Sequence, residues 1–359
     1  MHQRLFGIPL QSPFIIGSGP LCSDAEGIIA LHRAGAGAMV TKTINLTPAI
    51  NASRHIASCG QNSLLNCEAW SEYTADRWIE TELPKAKAAG AVVIVSVGSS
   101  LIEQPALITE LIAAGADMIE AVAYSEAELP ALIQALSPHC TVPLLVKLSA
   151  NYRDLLQTAK ACLQAGGNGF TACDSVGPAL HIDIHTGIPS LVGNGTGWLS
   201  GAMIKPIILH RVYSLREHFD CPIIGLGGIM TVQDCIEYTM AGADALSICT
   251  AAMLHGPGII QKLISGVEQY LAKNNYKDLD EIRGLAQNRN SKEFRMDFRK
   301  EDCISCMRCV TVCCYGARAL TKDKVMTVDE SLCRNCGLCV SVCPRRCLDG
   351  EPALLPKSC

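Results

Sequence analysis

Two cysteine runs near the C-terminus carry the clearest chemistry in this chain. Cys303, Cys306, Cys309 and Cys313 follow the spacing C-x2-C-x2-C-x3-C, and Cys333, Cys336, Cys339 and Cys343 repeat it before Pro344. Three closely spaced thiolates with a more distant fourth suit a [4Fe–4S] cubane, and the doubled run suits two of them. The fourth cysteine of each run in such modules ligates the other cluster. The expected sets are therefore Cys303, Cys306, Cys309 and Cys343 for one, and Cys333, Cys336, Cys339 and Cys313 for the other. Cys314 competes for the place of Cys313, and Cys347 and Cys359 are left over. Isolated C-x-x-C pairs also bind zinc, but the triple repeat with a distal cysteine favours clusters. Two clusters on a small module make a route for single electrons, so the preceding residues are expected to hold a redox partner for them.

A second kind of chemistry is spread over residues 18–250. Gly225-Leu226-Gly227-Gly228 and Ser247-Ile248-Cys249-Thr250 each end an apolar run in residues suited to phosphate: glycines that let backbone N–H groups approach, and a hydroxyl donor. Lys42 and Lys147 follow or interrupt apolar runs, where an unpaired ammonium is costly. Two inward-reaching lysines fit a cofactor that gains negative charge on reduction, such as a flavin; the alternative is that each stem snorkels to water. Ser18, Glu120 and Asp174 also stand where apolar runs end.

The elements that must position these groups alternate regularly. Short apolar runs begin at Phe14, Ala38, Val92, Met118, Leu144, Gly169, Ile223 and Ala245, separated by alanine-rich helical stretches. Continuous rather than alternating apolarity is expected of parallel strands covered by helices. Gly35, Gly90, Gly115, Gly166 and Gly242 sit where a helix would end in the left-handed conformation before the next strand. Eight such units predict a (β/α)8 TIM barrel over residues 1–290, followed by a ferredoxin-like domain with two clusters over 291–359. An open doubly wound sheet is the alternative, but no G-x-G-x-x-G follows the first strand. Two polar excursions, 45–66 and 177–201, are expected to cover the barrel mouth. His181, Asp183 and His185 in the second are either loop polar residues or a weak metal candidate.

Bulk properties narrow the classes further. A net charge of −4 and a pI near 6.1 give no reason to expect nucleic acid as a partner. The start lacks the apolar core of a signal peptide, and no apolar run reaches membrane-spanning length. Of the 20 cysteines, 11 lie from Cys303 onward, mostly at cluster spacing, which points to a reducing cytoplasm rather than a disulfide scaffold. The basic segment Ser291–Lys300 reads as a linker.

Taken together, Pro13-Phe14, Thr41-Lys42-Thr43, Gln61-Asn62-Ser63, Lys147-Leu148, Gly201, Gly225-Leu226-Gly227-Gly228-Ile229 and Cys249-Thr250 resemble the dihydroorotate dehydrogenases. With the cysteine runs included, the chain looks most like the flavin-and-iron–sulfur half of dihydropyrimidine dehydrogenase. The resemblance implies FMN with its phosphate on Gly227, Gly228 and Thr250, Lys42 and Lys147 beside the flavin, and Asn62 on the substrate. It further implies hydride exchange with a C=C or CH–CH unit, electrons from a separate NAD(P)H-dependent flavin reductase subunit or a ferredoxin, and a homodimer core. The chain departs from the family after the fourth strand, where Glu-x-Asn-x-Ser-Cys-Pro becomes Glu120-Ala121-Val122-Ala123-Tyr124-Ser125. Val122 replaces a substrate-binding asparagine, Ser125 takes the catalytic cysteine's place, and Asp174 replaces a later asparagine. Ser125, Tyr124, His55 and Asp174 are the candidate acids and bases. A flavin enzyme for a small cyclic compound with a remodelled substrate site is the leading expectation. A dihydropyrimidine or dihydroorotate dehydrogenase, and a noncatalytic electron-transfer subunit, are the alternatives.

Overall fold

The computed structural model describes residues 3–287 and 298–348, in two compact units spanning 1–288 and 289–359. Most of the 291–300 linker, the expected 290/291 domain boundary and Cys359 lie outside the described residues.

In the first unit eight parallel strands close into a barrel: β1 Phe14–Ile16, β2 Ala38–Val40, β3 Val93–Gly98, β4 Met118–Val122, β5 Leu144–Leu148, β6 Gly169–Ala172, β7 Ile223–Leu226 and β8 Ala245–Ile248. Each pairs with its neighbours in sequence, and β8 closes on β1 through Leu246–Phe14 and Ile248–Ile16. Every residue of these strands is buried, which explains why their apolar residues run on instead of alternating with exposed polar ones. The five helix-to-strand glycines all have positive φ, between 85° and 123°. The barrel prediction therefore holds down to its turns. Strand β2 stops at Val40, so Lys42 stands just past its end and not within it.

Two features add to the eight units. An antiparallel hairpin, Gln3–Leu5 with Ile8–Leu10, plugs the N-terminal end of the barrel. Its Leu5 and Leu10 pack with Ile15, Val40, Ile94, Met118, Leu145 and Ile224. At the opposite end the two excursions join in one antiparallel sheet. Its strand order is Val176–Ala179, Gly197–Gly201, Ser63–Asn66, Ile56–Gly60. Trp198 lies opposite Asn66 and Gly201 opposite Ser63, so residues some 130 apart share one roof. Both excursions reach the mouth as expected, but as strands instead of irregular loop. Backbone groups above a cavity must find partners, and ladder pairing supplies them.

The helix Val232–Ala241, between β7 and β8, is fixed at its N-terminus by Asp234. Its carboxylate accepts from the N–H of Met230 (2.9 Å) and Thr231 (2.7 Å), and Lys205 bonds its other oxygen. Burial alone would raise this carboxyl, but Lys205 and the backbone donors outweigh it and hold its pKa below the ordinary value. Asp234→Ala should cost about 1–3 kcal/mol, because it leaves the buried Met230 N–H and the Thr231 N–H without their acceptor and leaves Lys205 with Glu237 alone. A carboxyl depressed on folding contributes stability above its unfolded pKa, near ~3.9, and loses it as pH falls through the folded value. Urea unfolding midpoints of wild type and variant should therefore converge when the pH is taken below about 3.9. A gap that stays constant well below that pH would refute this reading.

In the second unit two short helices, Arg308–Thr311 and Leu338–Ser341, each follow a residue with positive φ, Met307 or Gly337. A hairpin, Arg318–Leu320 with Met326–Val328, lies between the cysteine runs. Cys309 and Cys339 occupy equivalent places on the two helices and pack with Leu348 in a small core.

Candidate active site

The C-terminal ends of the strands and the roof sheet enclose a cavity of about 990 Å³. That volume suits a cofactor together with a small substrate. Ser18, Lys42, Lys147, Asp174, Gly201, Gly227, Gly228, Thr250 and Tyr124 all line it.

One wall is built for close approach. Gly227 (φ 133°), Gly228 (φ 74°) and Gly201 (φ 93°) adopt backbone angles that L side chains avoid. A Cβ on Gly228 would lie 2.7 Å from Lys205 Cβ and 2.8 Å from the Gly201 carbonyl oxygen. Thr250 Oγ1 donates to Ser200 Oγ (2.8 Å), tying the end of β8 to the roof. The Tyr238 hydroxyl donates to the Gly227 carbonyl from behind. Glycines after β7 and a hydroxyl after β8 are the donor set that a phosphate monoester needs.

The second wall is charged. Lys147 projects from β5 and meets Asp174 Oδ2 at 3.3 Å. Glu120, buried on β4, accepts from Thr171 Oγ1 of β6 at 2.7 Å across the barrel interior, while its other oxygen has no protein partner. Burial alone would push Lys147 down, but Asp174, Glu120 and Tyr124 outweigh it and keep the ammonium above its ordinary range. Burial raises the Glu120 carboxyl against the pull of Lys147 and Thr171, with Asp174 adding to the rise. Lys42 is only 3% exposed and clamped by two carboxylates, Glu68 Oε1 at 2.9 Å and Glu72 Oε1 at 2.9 Å. Burial pushes Glu72 up, but Lys42 and neighbouring donors prevail and lower it. Nothing in the local pattern announced Glu68 or Glu72, because an ion pair between a strand end and a loop has no period.

The third wall is aromatic. Tyr124 follows β4 and stacks on Trp198 of the roof, with ring centroids 5.4 Å apart and planes 26° from parallel. Desolvation and Asp174 raise the Tyr124 hydroxyl's pKa, opposed by Lys147, so it stays protonated and able to donate. Cys249 and Cys173 also line the cavity, and burial pushes their thiols up to about 11 and about 12. Such thiols are proton carriers rather than thiolate nucleophiles.

Three expected site residues fall elsewhere. Ser125 turns away to start the helix Glu128–Leu136: its hydroxyl accepts from the N–H of Ala127 and its carbonyl from that of Leu129. His55 bonds the Ala52 carbonyl within its own loop. Asn62 is exposed at the turn before Ser63–Asn66, with φ 53°. Asn66, at the other end of that strand, lines the cavity instead. Of the weak metal candidates, His181 bonds Ser190 and Asp183 caps the His185 N–H. Among the described residues no three His, Cys, Asp or Glu side chains converge as ligands of one ion.

Residues 1–271 match the family model for dihydroorotate dehydrogenase. The chain belongs to the dihydroorotate dehydrogenase family. It is an oxidoreductase of that family, with 4Fe-4S binding domain matches at 300–316 and 326–349 in the same chain. The catalytic subunit of dihydroorotate dehydrogenase B (NAD(+)) from Methanothermobacter thermautotrophicus is 30% identical over 300 residues, covering 80% of this chain and 98% of that protein. Its counterparts from Pyrococcus abyssi and Petrotoga mobilis are 32% and 31% identical, covering 80% and 79% of this chain and 99% and 98% of those proteins. These relatives are thus matched almost end to end while about a fifth of this family member remains beyond them. No helix among the described residues is long and apolar enough to cross a membrane.

Proposed function

We propose that this chain is the catalytic component of an FMN- and iron–sulfur-dependent dehydrogenase interconverting a C=C and a CH–CH unit in a neutral cyclic amide of the dihydropyrimidine kind. The flavin would occupy the barrel of residues 1–290, and residues 291–359 would relay electrons through two [4Fe–4S] clusters. This is the chemistry of the flavin-and-iron–sulfur half of dihydropyrimidine dehydrogenase. FMN, when bound, supplies a two-electron carrier at the barrel mouth.

The remaining work falls to side chains of this chain. Gly201, Gly227, Gly228 and Thr250 receive the phosphate. Lys147 and Lys42 hold positive charge beside the ring system. Asn66 and Asp174 offer groups to a substrate's amide edge, with Asp174 accepting only. Tyr124 and Trp198 exclude water above it, and the Tyr124 hydroxyl supplies the proton for carbon; Ser125 and His55 have no part in the cavity.

The observation that carries the neutral-ring reading is the clamp on Lys42. Both lysines of the cavity already face carboxylates, and the lining holds two lysines against Glu68, Glu103, Glu128 and Asp174, a balance of 2 − 4 = −2. A substrate carboxylate would find no unpaired cation there, and a flavin phosphate adds further negative charge. The second reading, a dihydroorotate dehydrogenase, is favoured by the names of the relatives. Those names also call each relative a catalytic subunit, which supports electron exchange with a separate NAD(P)H-dependent flavin reductase subunit or a ferredoxin. Leu180, Ile182, Ile184 and Ile188, on the segment between two roof strands, are exposed, Ile184 to 87%, which supports a homodimer core. The many thiols suit a cytoplasmic setting.

Anaerobic stopped-flow reduction of the holoprotein tests the choice. Dihydrouracil should bleach the flavin at least about tenfold faster than dihydroorotate, the cost of roughly 1.4 kcal/mol of charge mismatch. In a Glu68→Gln, Glu72→Gln double variant, Lys42 is freed and the preference should shrink. The opposite preference in wild type would establish the dihydroorotate reading. Reoxidation by a protein acceptor alone would leave an electron-transfer subunit.

A further inference from the structure

The second unit contains a small cavity lined by five cysteines, not four: Cys303, Cys306, Cys309, Cys343 and Cys347. The first four are the set expected from spacing for one cubane, which offers a single thiolate position on each of four irons. Cys347 is therefore one sulfur in excess, and its placement is not incidental. It is only 4% exposed, and its Sγ lies 3.4 Å from that of Cys343. The turn carrying both is pinned: the Arg346 N–H donates to the Cys343 carbonyl, and the Arg299 N–H donates to the Cys347 carbonyl at 2.8 Å. The Arg299 guanidinium also bonds the Arg346 carbonyl and Asp302, beside Cys303. The same backbone bonds thus hold Cys347 against the cysteines of the first run. The other spare thiol differs. Cys314, next to Cys313, is exposed and directs its Sγ at the Val312 carbonyl.

We propose that Cys347 is an alternative iron ligand at the cluster of Cys303, Cys306 and Cys309, exchanging with Cys343. In the exchange one Fe–S bond to Cys343 breaks and one to Cys347 forms. The Cys347 proton passes to the released Cys343 sulfur across their 3.4 Å contact, and no electron is gained or lost. The exchange keeps four thiolates on this cluster when Cys343 is displaced. Among the described residues the spare thiol beside the other cluster's set is Cys314, which is exposed and turned to the Val312 carbonyl rather than buried against a ligand. The proposal rests on the cluster reading of the cysteine runs and not on which ring the barrel oxidises.

The test uses the full-length protein, reconstituted anaerobically and read by iron and sulfide content and by EPR after dithionite reduction. Alanine replaces cysteine, since serine can itself bind iron. Wild type and Cys347→Ala should each hold about eight iron atoms, as two cubanes require. Cys343→Ala should also keep about eight, with a shifted EPR signal, whereas Cys343→Ala with Cys347→Ala should fall to about four. Cys313→Ala, with only the exposed, outward-turned Cys314 beside it, should fall to about four by itself. The proposal is overturned if Cys343→Ala holds no more iron than the double variant, or if the double variant keeps what the single one keeps. Cys347→Ala retains all four expected ligands and gives an independent reading. Its iron should pass to a strong chelator several-fold faster than wild-type iron, in a phase confined to half the total. An unchanged rate would also overturn the proposal.

Discussion

Replacing Gly228 with alanine should leave a folded barrel that no longer retains flavin. At φ 74° the new methyl group is in a conformation that costs an L residue about 1–2 kcal/mol. It would also lie 2.7 Å from Lys205 Cβ, 2.8 Å from the Gly201 carbonyl oxygen and 2.9 Å from Lys205 Cα. Two of those three neighbours are backbone atoms, so the Gly227–Gly228 peptide must move rather than a side-chain tip. That peptide is the surface on which the phosphate is proposed to rest. A loss of about 10²-fold in FMN affinity, or roughly 2.7 kcal/mol, is expected. Flavin content after gel filtration measures it, and iron content should be unchanged. Gly187→Ala is the control, because Gly187 has φ 71° with nothing within 4 Å of the added carbon. It carries the same backbone cost without the collision and should keep its flavin. Equal flavin loss in both would refute the cradle.

The second large effect is expected at Lys147. Lys147→Met preserves length and apolar stem but removes the cation between Asp174 and Glu120. Glu120 is already raised by burial, and losing Lys147 removes the strongest influence holding it down, so it should take up a proton. The fold should survive by that route, while the proposed flavin site loses its buried positive charge. A preorganised charge of this kind is worth about 10²–10³ in turnover. Its loss should also lower the two-electron flavin potential by about 60 mV, the equivalent of 10²-fold. Spectroelectrochemistry separates this from a packing defect, which would change flavin content but leave the potential of the bound fraction where it was. An unmoved potential would remove Lys147 from its assigned role.

The barrel was legible because its signals are local. Each strand is short and mostly apolar, and five are entered through a glycine turn; these properties follow from burial on both faces and tight helix-to-strand return. The placement of Lys147, Gly227, Gly228 and Thr250 around the cavity was legible for the same reason, since a barrel fixes what its strand ends can face. The roof was not. The pairing of Ser63–Asn66 with Gly197–Gly201 joins segments more than 130 residues apart and leaves no trace in either. Asn62 and Asn66 cannot be told apart without that register: one lies at the turn and the other over the cavity. Ser125 failed differently. A position carried over from a family has meaning only while the surrounding backbone is preserved, and here a helix start claims the hydroxyl.

The hairpin Gln3–Leu10 that seals the far end of the barrel has a consequence for traffic. With Leu5 and Leu10 filling the floor, the proposed cofactor and substrate would both enter from the roof side. Whatever enters first lies deepest, and whatever enters last must leave first. A ring seated under Trp198 should therefore trap the flavin below it, so that saturating ligand slows flavin escape without touching it. Stopping the bottom of the barrel makes the order of loading a property of architecture rather than of affinity.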